Sequence, residues 1–221
     1  MNRWLHGAWR FVRSAPLTYM WLIILAATTL VQRLTARREL HHLLVHDSTN
    51  LRHLASDPLS VLFRSLLWID GRFWTPYLLL FTLFLAPAER WLGQIRWLTV
   101  GLTAHVGATY LSEGSLYLAI QSHHAAKKLV HATDIGVSYF LVGVIAVLAY
   151  RIATPWRWGY LAILLTAFAV PLIIDLNFTA VGHFSAIFIG LLFYPMARGR
   201  GAPLSPAGVL RSFVPPPPTS G

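Results

Sequence analysis

The sequence predicts an all-α membrane protein built as a bundle of six transmembrane helices. Only 12% of the 221 residues are charged and 56% are hydrophobic, whereas about one quarter of a typical soluble domain is charged. Apolar runs recur along the chain, and a helix of ~20 residues is long enough to cross a bilayer. The length leaves room for about six such spans with short connections. The absence of cysteine excludes disulfides and thiolate metal sites.

The formal charge of +10 does not point to a nucleic-acid partner. Such a partner requires basic residues clustered on one soluble face with aromatic residues between them, but here Lys and Arg separate the hydrophobic runs. Loop cations of this kind orient spans against anionic lipid. We therefore expect membrane lipids as partners. We also expect both termini in the cytoplasm, because Lys and Arg are slightly more numerous on that side.

Residues 1–15, MNRWLHGAWRFVRSA, form a basic and aromatic segment that is typical of a chain lying at the cytoplasmic membrane surface. The uncharged run from Leu17 to Val31 predicts the first span. A cleaved signal peptide is the alternative for this run, because Ala26 and Ala27 supply the small residues of a cleavage site.

The first loop, residues 33–72, is polar and contains several histidines. His42 and His46 would lie on one face of a helix, as metal ligands require, but no third ligand is set by spacing and a solvated surface is the alternative. Asp57 and Pro58 predict an N-cap followed by proline at the first helical position. The apolar pattern that follows is too short to span, so it predicts an amphipathic helix lying in the interface.

The other five spans are predicted from apolar runs at residues 73–88, 97–120, 135–152, 156–176 and 178–196. His105 and Glu113 interrupt the third span, and we expect His105 to be packed and hydrogen-bonded. The membrane domain thus covers residues 16–197. Residues 198–221 are rich in Gly, Pro and Ser and are predicted to be a disordered tail. Its polyproline stretch, residues 215–218, leaves a proline-recognition partner as an alternative.

Two polar residues in these spans form the candidate site. Ser138 lies three residues into the fourth span and His183 five residues into the sixth, so a rise of 1.5 Å per residue places them roughly 5 and 8 Å below the same membrane surface. A serine hydroxyl becomes a nucleophile when an adjacent imidazole accepts its proton. The alternative is that each side chain bonds only to its own or a neighbouring helix. The small residues that would let these helices approach closely are Gly136, Gly143, Ala186 and Gly190.

These residues resemble the rhomboid family of intramembrane serine proteases, in particular a divergent group of actinobacterial rhomboid-like proteins. Gly136-Val137-Ser138 matches the first three residues of the rhomboid G-x-S-G motif. His183 is followed at three and seven residues by Ala186 and Gly190, as in the sixth span of the family. Glu89-Arg90-Trp91-Leu92-Gly93 matches the acidic residue and the Leu-Gly pair that close the second span. The resemblance covers about residues 17–197.

The resemblance implies a six-helix bundle in a bacterial plasma membrane, with the amphipathic helix in its first loop. It implies that Ser138 is the nucleophile and His183 the general base of a dyad that cleaves membrane-associated substrates. No metal or cofactor is implied.

Three departures from the family pattern affect this site. Tyr139 follows the serine where the family has glycine. Phe73 and Tyr77 occupy the places of the histidine and asparagine that support the oxyanion. Val142 occupies the place of the aromatic residue that packs on the histidine. Loss of one oxyanion donor typically lowers the rate by about two to three orders of magnitude.

Two hypotheses from different classes follow. The first is a protease that uses the Ser138–His183 dyad. The second is a catalytically inactive rhomboid-fold protein that binds transmembrane client proteins. A small transporter, the third option, predicts an internal repeat, which the six runs do not contain.

Overall fold

The computed structural model describes residues 3–35, 39, 44, 47–69, 71, 73–126, 129, 135–175, 177–201 and 203–205. The helices are α1 (Arg3–Arg13), α2 (Pro16–Leu34), α3 (Leu51–Ser56), α4 (Pro58–Ser65), α5 (Thr75–Leu80), α6 (Ala86–Leu92), α7 (Gln94–Gln121), α8 (Val137–Leu148), α9 (Trp156–Ile174), α10 (Phe178–Leu192) and α11 (Tyr194–Ala197). The described residues are thus predominantly helical, as predicted. The candidate metal pair His42 and His46 and the polyproline stretch 215–218 lie outside the described residues.

Among the residues that the structure describes, two helices, α2 and α9, are long and apolar enough to cross a membrane on length and composition alone. Helices α8 and α10 are apolar but shorter. The 28 residues of α7 include a buried polar face that contains His105 and Glu113, and such a face lowers the mean hydropathy of a helix. Length and hydropathy thus support two of the six predicted spans, and the other four stay predictions.

The N-terminus of α2 is bound by a buried carboxylate. The side chain of Glu89 on α6 accepts hydrogen bonds from Leu17 N (3.0 Å), Thr18 N (2.8 Å) and Thr18 Oγ1 (2.7 Å). The first amides of a helix lack intrahelical acceptors, and the helix dipole favours a negative charge there. Glu89 therefore joins α6 to α2. Gly93, which ends α6, has φ +81°, a conformation that favours glycine.

Helix α6 continues through Pro87, whereas the apolar run that predicted the second span ends at that proline. A π-helical turn, Phe81–Leu85, precedes it, and Ala86 N donates to the carbonyl oxygen of Phe81. Proline lacks an N–H and clashes with the carbonyl four residues earlier, so a wider turn at this point accommodates it. The helix consequently reaches Leu92 and places Glu89 at α2.

An aromatic cluster packs α2 against the centre of the bundle. The ring of Trp21 lies 5.0 Å from that of Phe81 and 4.8 Å from that of Phe140, and Trp97 lies 4.9 Å from Phe140. The indole nitrogen of Trp21 also donates to the carbonyl oxygen of Leu66, at 2.8 Å. The cluster therefore joins α2, the π turn, α7 and α8 to the first loop.

Helix α4 begins as the sequence predicts. Pro58 occupies its first turn and Asp57 accepts a hydrogen bond from Ser60 N, at 3.4 Å. Its apolar residues are divided between two environments, because Leu59 and Phe63 are exposed while Leu62 is buried. Exposed apolar side chains on an interfacial helix are available to lipid.

Helices α7, α8 and α10 form the centre of the bundle. Every residue of α8 except Ser138 is buried. A Cβ atom added to Gly190 would lie 2.2 Å from the carbonyl oxygen of Gly143, and one added to Gly143 would lie 2.2 Å from the Cβ of Ala104. Glycine is therefore required at both positions, and the backbones of α8 and α10 touch while running in the same direction.

Helix α8 begins level with the middle of α7. A Cβ atom on Gly136 would lie 1.9 Å from the Cε1 atom of His105, and α7 continues beyond His105 to Gln121, which is roughly 24 Å at 1.5 Å per residue. Ser138 consequently lies nearer the middle of the bundle than the depth derived from span boundaries implies.

The C-terminal residues contact the bundle beyond the predicted domain boundary at residue 197. Leu204 N donates to the carbonyl oxygen of Arg151 (2.7 Å), and Ala153 N donates to that of Leu204 (2.8 Å). The indole nitrogen of Trp91 donates to the carbonyl oxygen of Arg200, at 2.7 Å. Residues 199–205, described apart from residue 202, are named the C-terminal arm below. Residues 206–221 lie outside the described part, so the predicted disorder there stays a prediction.

The substitution Glu89→Gln is expected to destabilise the protein by about 2 kcal/mol, because it replaces a buried charge-assisted acceptor by an amide with one acceptor oxygen. Thermal or detergent-induced unfolding of the purified protein in micelles measures the change. Asp57→Asn is the matched control, since asparagine caps a helix as well as aspartate does. Equal stability of Glu89→Gln and wild type would contradict the capping role of Glu89.

The substitution Gly190→Ala is expected to lower the free energy of unfolding by about 1–3 kcal/mol, because its methyl group would overlap the backbone of α8. Gly159→Ala on α9 is the control: a Cβ there has nothing within 4 Å, and alanine favours the helix. The same unfolding measurement compares the two variants. A neutral Gly190→Ala would show that α8 and α10 are farther apart than described.

Candidate functional site

Ser138 lies in the first turn of α8, and its side chain is half-buried. The hydroxyl Oγ donates to the carbonyl oxygen of Ile135 at 3.4 Å, a long contact for an O–H donor. This bond directs the proton of the hydroxyl to the backbone that precedes α8. Among the described residues, Ser138 makes no hydrogen bond with His183.

His183 lies near the N-terminus of α10, between two aromatic rings. The centroid of the Tyr139 ring is 5.0 Å from that of the imidazole in an edge-on arrangement, and the centroid of Phe168 on α9 is 5.6 Å away. The aromatic neighbour on α8 is thus the residue directly after Ser138, not Val142. Packing on both sides holds the imidazole in place.

Tyr139 fills the space between α7, α8 and α10. Its side chain is fully buried, and a Cβ atom on Gly182 would lie 2.4 Å from its hydroxyl oxygen. The hydroxyl donates to Ser112 Oγ (3.1 Å), which in turn donates to the carbonyl oxygen of Phe178 (2.8 Å). One side chain in the place of the family's glycine therefore connects three helices.

Gly136 faces α7 and not α10, because the imidazole of His105 occupies the place where a side chain would be. The Nε2 atom of His105 donates to the carbonyl oxygen of Leu62 at 3.0 Å and lies 3.5 Å from Ser65 Oγ. His105 is buried and hydrogen-bonded, as predicted. It joins the first loop to the start of α8.

Phe73 and Tyr77 stand where the family has the histidine and asparagine that support the oxyanion. The ring of Phe73 is exposed at 73% of its surface and has no donor. The ring centroid of Tyr77 is 6.4 Å from that of Phe81. Neither residue supplies the amide or imidazole donors of the family pattern.

Among the described residues, two cavities flank the N-terminus of α10. One, of about 350 Å³, lies between α9 and α10; its lining includes Phe168, Pro171, Thr179 and His183. The other, of about 570 Å³, lies between the ends of α7 and α10. Phe178 lines both. Within the part of the chain that the structure describes, His183 is thus accessible through the cavity on the α9 side.

Sequence reasoning missed Ser112 and Phe168, which contact Tyr139 and His183. Ser112 stands beside Glu113 in an otherwise apolar run, and that neighbouring pair of polar residues was the available signal. Phe168 carries no signal of its own, since an aromatic residue in an apolar span is usually packing. Only the crossing of α9 over α10 brings it to the imidazole.

A family sequence model described as "Rhomboid-like protein" matches residues 10–203. No curated protein and no solved structure gives a significant match. The matched region includes Glu89, Ser138 and His183 and extends from α1 into the C-terminal arm. Because the match covers most of the 221 residues, and because the helices are strongly apolar, this chain is an integral membrane protein that belongs to the rhomboid-like family.

Proposed function

We propose that this chain is a six-span, rhomboid-fold protein of a bacterial plasma membrane that binds the transmembrane segments of client proteins and does not hydrolyse them. The proposed spans are α2, the continuous unit of α5, the π turn and α6, then α7, α8, α9 and α10, with both termini in the cytoplasm. The observation that carries the proposal is the buried ring of Tyr139 beside Ser138 and His183.

The chemistry of acyl transfer is poorly supported at this site. A nucleophilic serine needs a base within about 2.6–3.2 Å, whereas Ser138 Oγ donates to Ile135 and not to His183. The oxyanion also needs preorganised donors, and the side chain of Phe73 supplies none. Each missing contribution lowers the rate by orders of magnitude. Proteolysis, the activity implied by the family resemblance, would require Ser138 to turn towards His183.

Client binding is supported by the surroundings of α9. Leu164 is its one buried residue among those described, so most of this helix faces outwards. Apolar burial does not drive helix association in lipid, and hydrogen bonds and close packing must supply the affinity. The cavity between α9 and α10 offers polar groups on His183, Thr179 and Asn177. We therefore propose clients whose apolar spans carry a polar residue such as asparagine or serine.

Labelling with a fluorophosphonate probe tests the absence of an activated serine. Wild-type protein in liposomes is expected to label no more than Ser138→Ala or His183→Ala, because the hydroxyl has no adjacent base. An active rhomboid protease reconstituted in the same lipid is the positive control. Labelling of the wild type that disappears in both variants would establish a working dyad and overturn the proposal.

Association with synthetic transmembrane helices tests client binding. The probe is a polyleucine helix with one central asparagine, compared with its all-leucine counterpart, and energy transfer in liposomes measures binding. We expect the asparagine helix to bind about threefold more tightly, the size of one interhelical hydrogen bond. His183→Leu should remove this preference. Leu111→Ala on α7 is the control, because Leu111 is exposed and lines neither cavity.

Binding is measured only for variants that elute as a folded species in detergent before reconstitution. Equal binding of the two helices to wild type, or a preference that survives in His183→Leu, would exclude the cavity beside His183 as the client site.

A further inference from the structure

Three arginines converge on the C-terminal end of α6. Arg200 of the C-terminal arm donates from Nη1 to the carbonyl oxygens of Trp91 (3.0 Å) and Leu92 (2.7 Å). Trp91 Nε1 donates back to the carbonyl oxygen of Arg200. These three bonds fix residue 200 against the end of the helix, where carbonyl groups lack intrahelical partners.

Arg151 approaches the same tryptophan from the end of α8. Its guanidinium carbon lies 5.6 Å from the centre of the Trp91 ring, and its backbone carbonyl accepts from Leu204 N of the arm. The side chain is half-buried. Trp91 thus has the guanidinium group of Arg151 near its ring and that of Arg200 on its backbone carbonyl.

Arg90 completes the cluster. It precedes Trp91 on α6 and is exposed. Its Nε donates to the carbonyl oxygen of Ala86 at 3.2 Å, and its guanidinium carbon lies 3.9 Å from the ring centre of Phe11 on α1. Like charges held together raise the free energy of the folded protein unless an opposite charge lies between them.

No described carboxylate lies within 4 Å of these three side chains. Glu89 is the neighbour of Arg90 in sequence, but it is buried and its oxygens accept from Leu17 and Thr18. Each guanidinium has five N–H donors, and the carbonyl bonds described above use only some of them. The cluster therefore has positive charge and donors left for a ligand.

We propose that Arg90, Arg151 and Arg200 form a binding site for a phosphate group. Guanidinium groups bind phosphate oxygens through paired N–H donors, and a tryptophan beside them is typical of the membrane–water interface. The phosphate belongs either to the headgroup of an anionic lipid or to a soluble phosphate ion. The site is separate from Ser138 and His183, so it stands independently of the proposed function.

Thermal unfolding of the full chain in a neutral detergent tests the site. The probes, added separately, are phosphatidylglycerol, phosphatidylcholine and inorganic phosphate. We expect phosphatidylglycerol to raise the unfolding temperature and to remain bound in native mass spectrometry. Arg90→Gln with Arg151→Gln should weaken binding by roughly fivefold for each arginine removed. Arg96→Gln is the matched control, because Arg96 is an exposed arginine at the nearby start of α7 and should leave binding unchanged.

The response of the wild type and the variants to the three probes distinguishes the two phosphate sources and tests the site. Stabilisation by phosphatidylglycerol alone that is lost in the double variant supports a lipid headgroup site. Stabilisation by millimolar inorganic phosphate that is lost in the same variant supports a soluble phosphate site. Lipid retention that is equal in wild type, the double variant and Arg96→Gln overturns the proposal. Thermal unfolding of each variant without ligand shows whether it is folded. If the double variant is not folded, the single variant Arg151→Gln replaces it.

Discussion

The bundle depends on glycines that let α7, α8 and α10 approach closely. Lipid tails are as apolar as leucine, so helices in a bilayer gain little from burying leucine against leucine and associate through close contacts and hydrogen bonds. Gly143 and Gly190 allow the two backbones to touch, and Gly136 allows α8 to start against His105. These contacts set the height and rotation of α8. The positions of Ser138 and Tyr139 follow from them.

A polar face of α7 lies against the same centre. Its buried residues are His105, Thr109, Ser112 and Glu113. Polar groups inside a membrane protein require partners within the protein, and here they connect separate segments: His105 bonds the first loop, and Ser112 bonds the start of α10 and Tyr139. Tyr139 is consequently part of the structural network of the core. Its replacement by the glycine of the family pattern would remove both a hydrogen bond and the ring that packs on Gly182.

Much of the helical layout could be predicted because its causes are local. Apolar runs are long, Asp57 and Pro58 mark the start of α4, and Glu89 and Gly93 carry a recognisable motif. The site could not be predicted to the same extent, because it depends on which side chains face each other. Spacing alone does not show that the imidazole of His105 stands against Gly136. It also does not show that a π turn carries the helix through Pro87.

The C-terminal arm shows a second limit of composition. Gly, Pro and Ser indicate a chain that cannot bury a core, and that reasoning places the end of the domain at residue 197. Arg200 and Leu204 nevertheless contact the bundle through the backbone carbonyls of Trp91, Leu92 and Arg151. Hydrogen bonds to backbone carbonyls need no apolar side chains, so a composition poor in apolar residues does not exclude them.

The contrast between the centre and α9 connects the structure to the proposed role. The centre is held by backbone contacts and buried hydrogen bonds. Helix α9 has few buried side chains, and Pro171 within it removes one intrahelical hydrogen bond. Displacement of α9 therefore costs less free energy than rearrangement of α8. Because the 350 Å³ cavity lies between α9 and α10, the proposed client helix would enter there while the residues around Tyr139 stay in place.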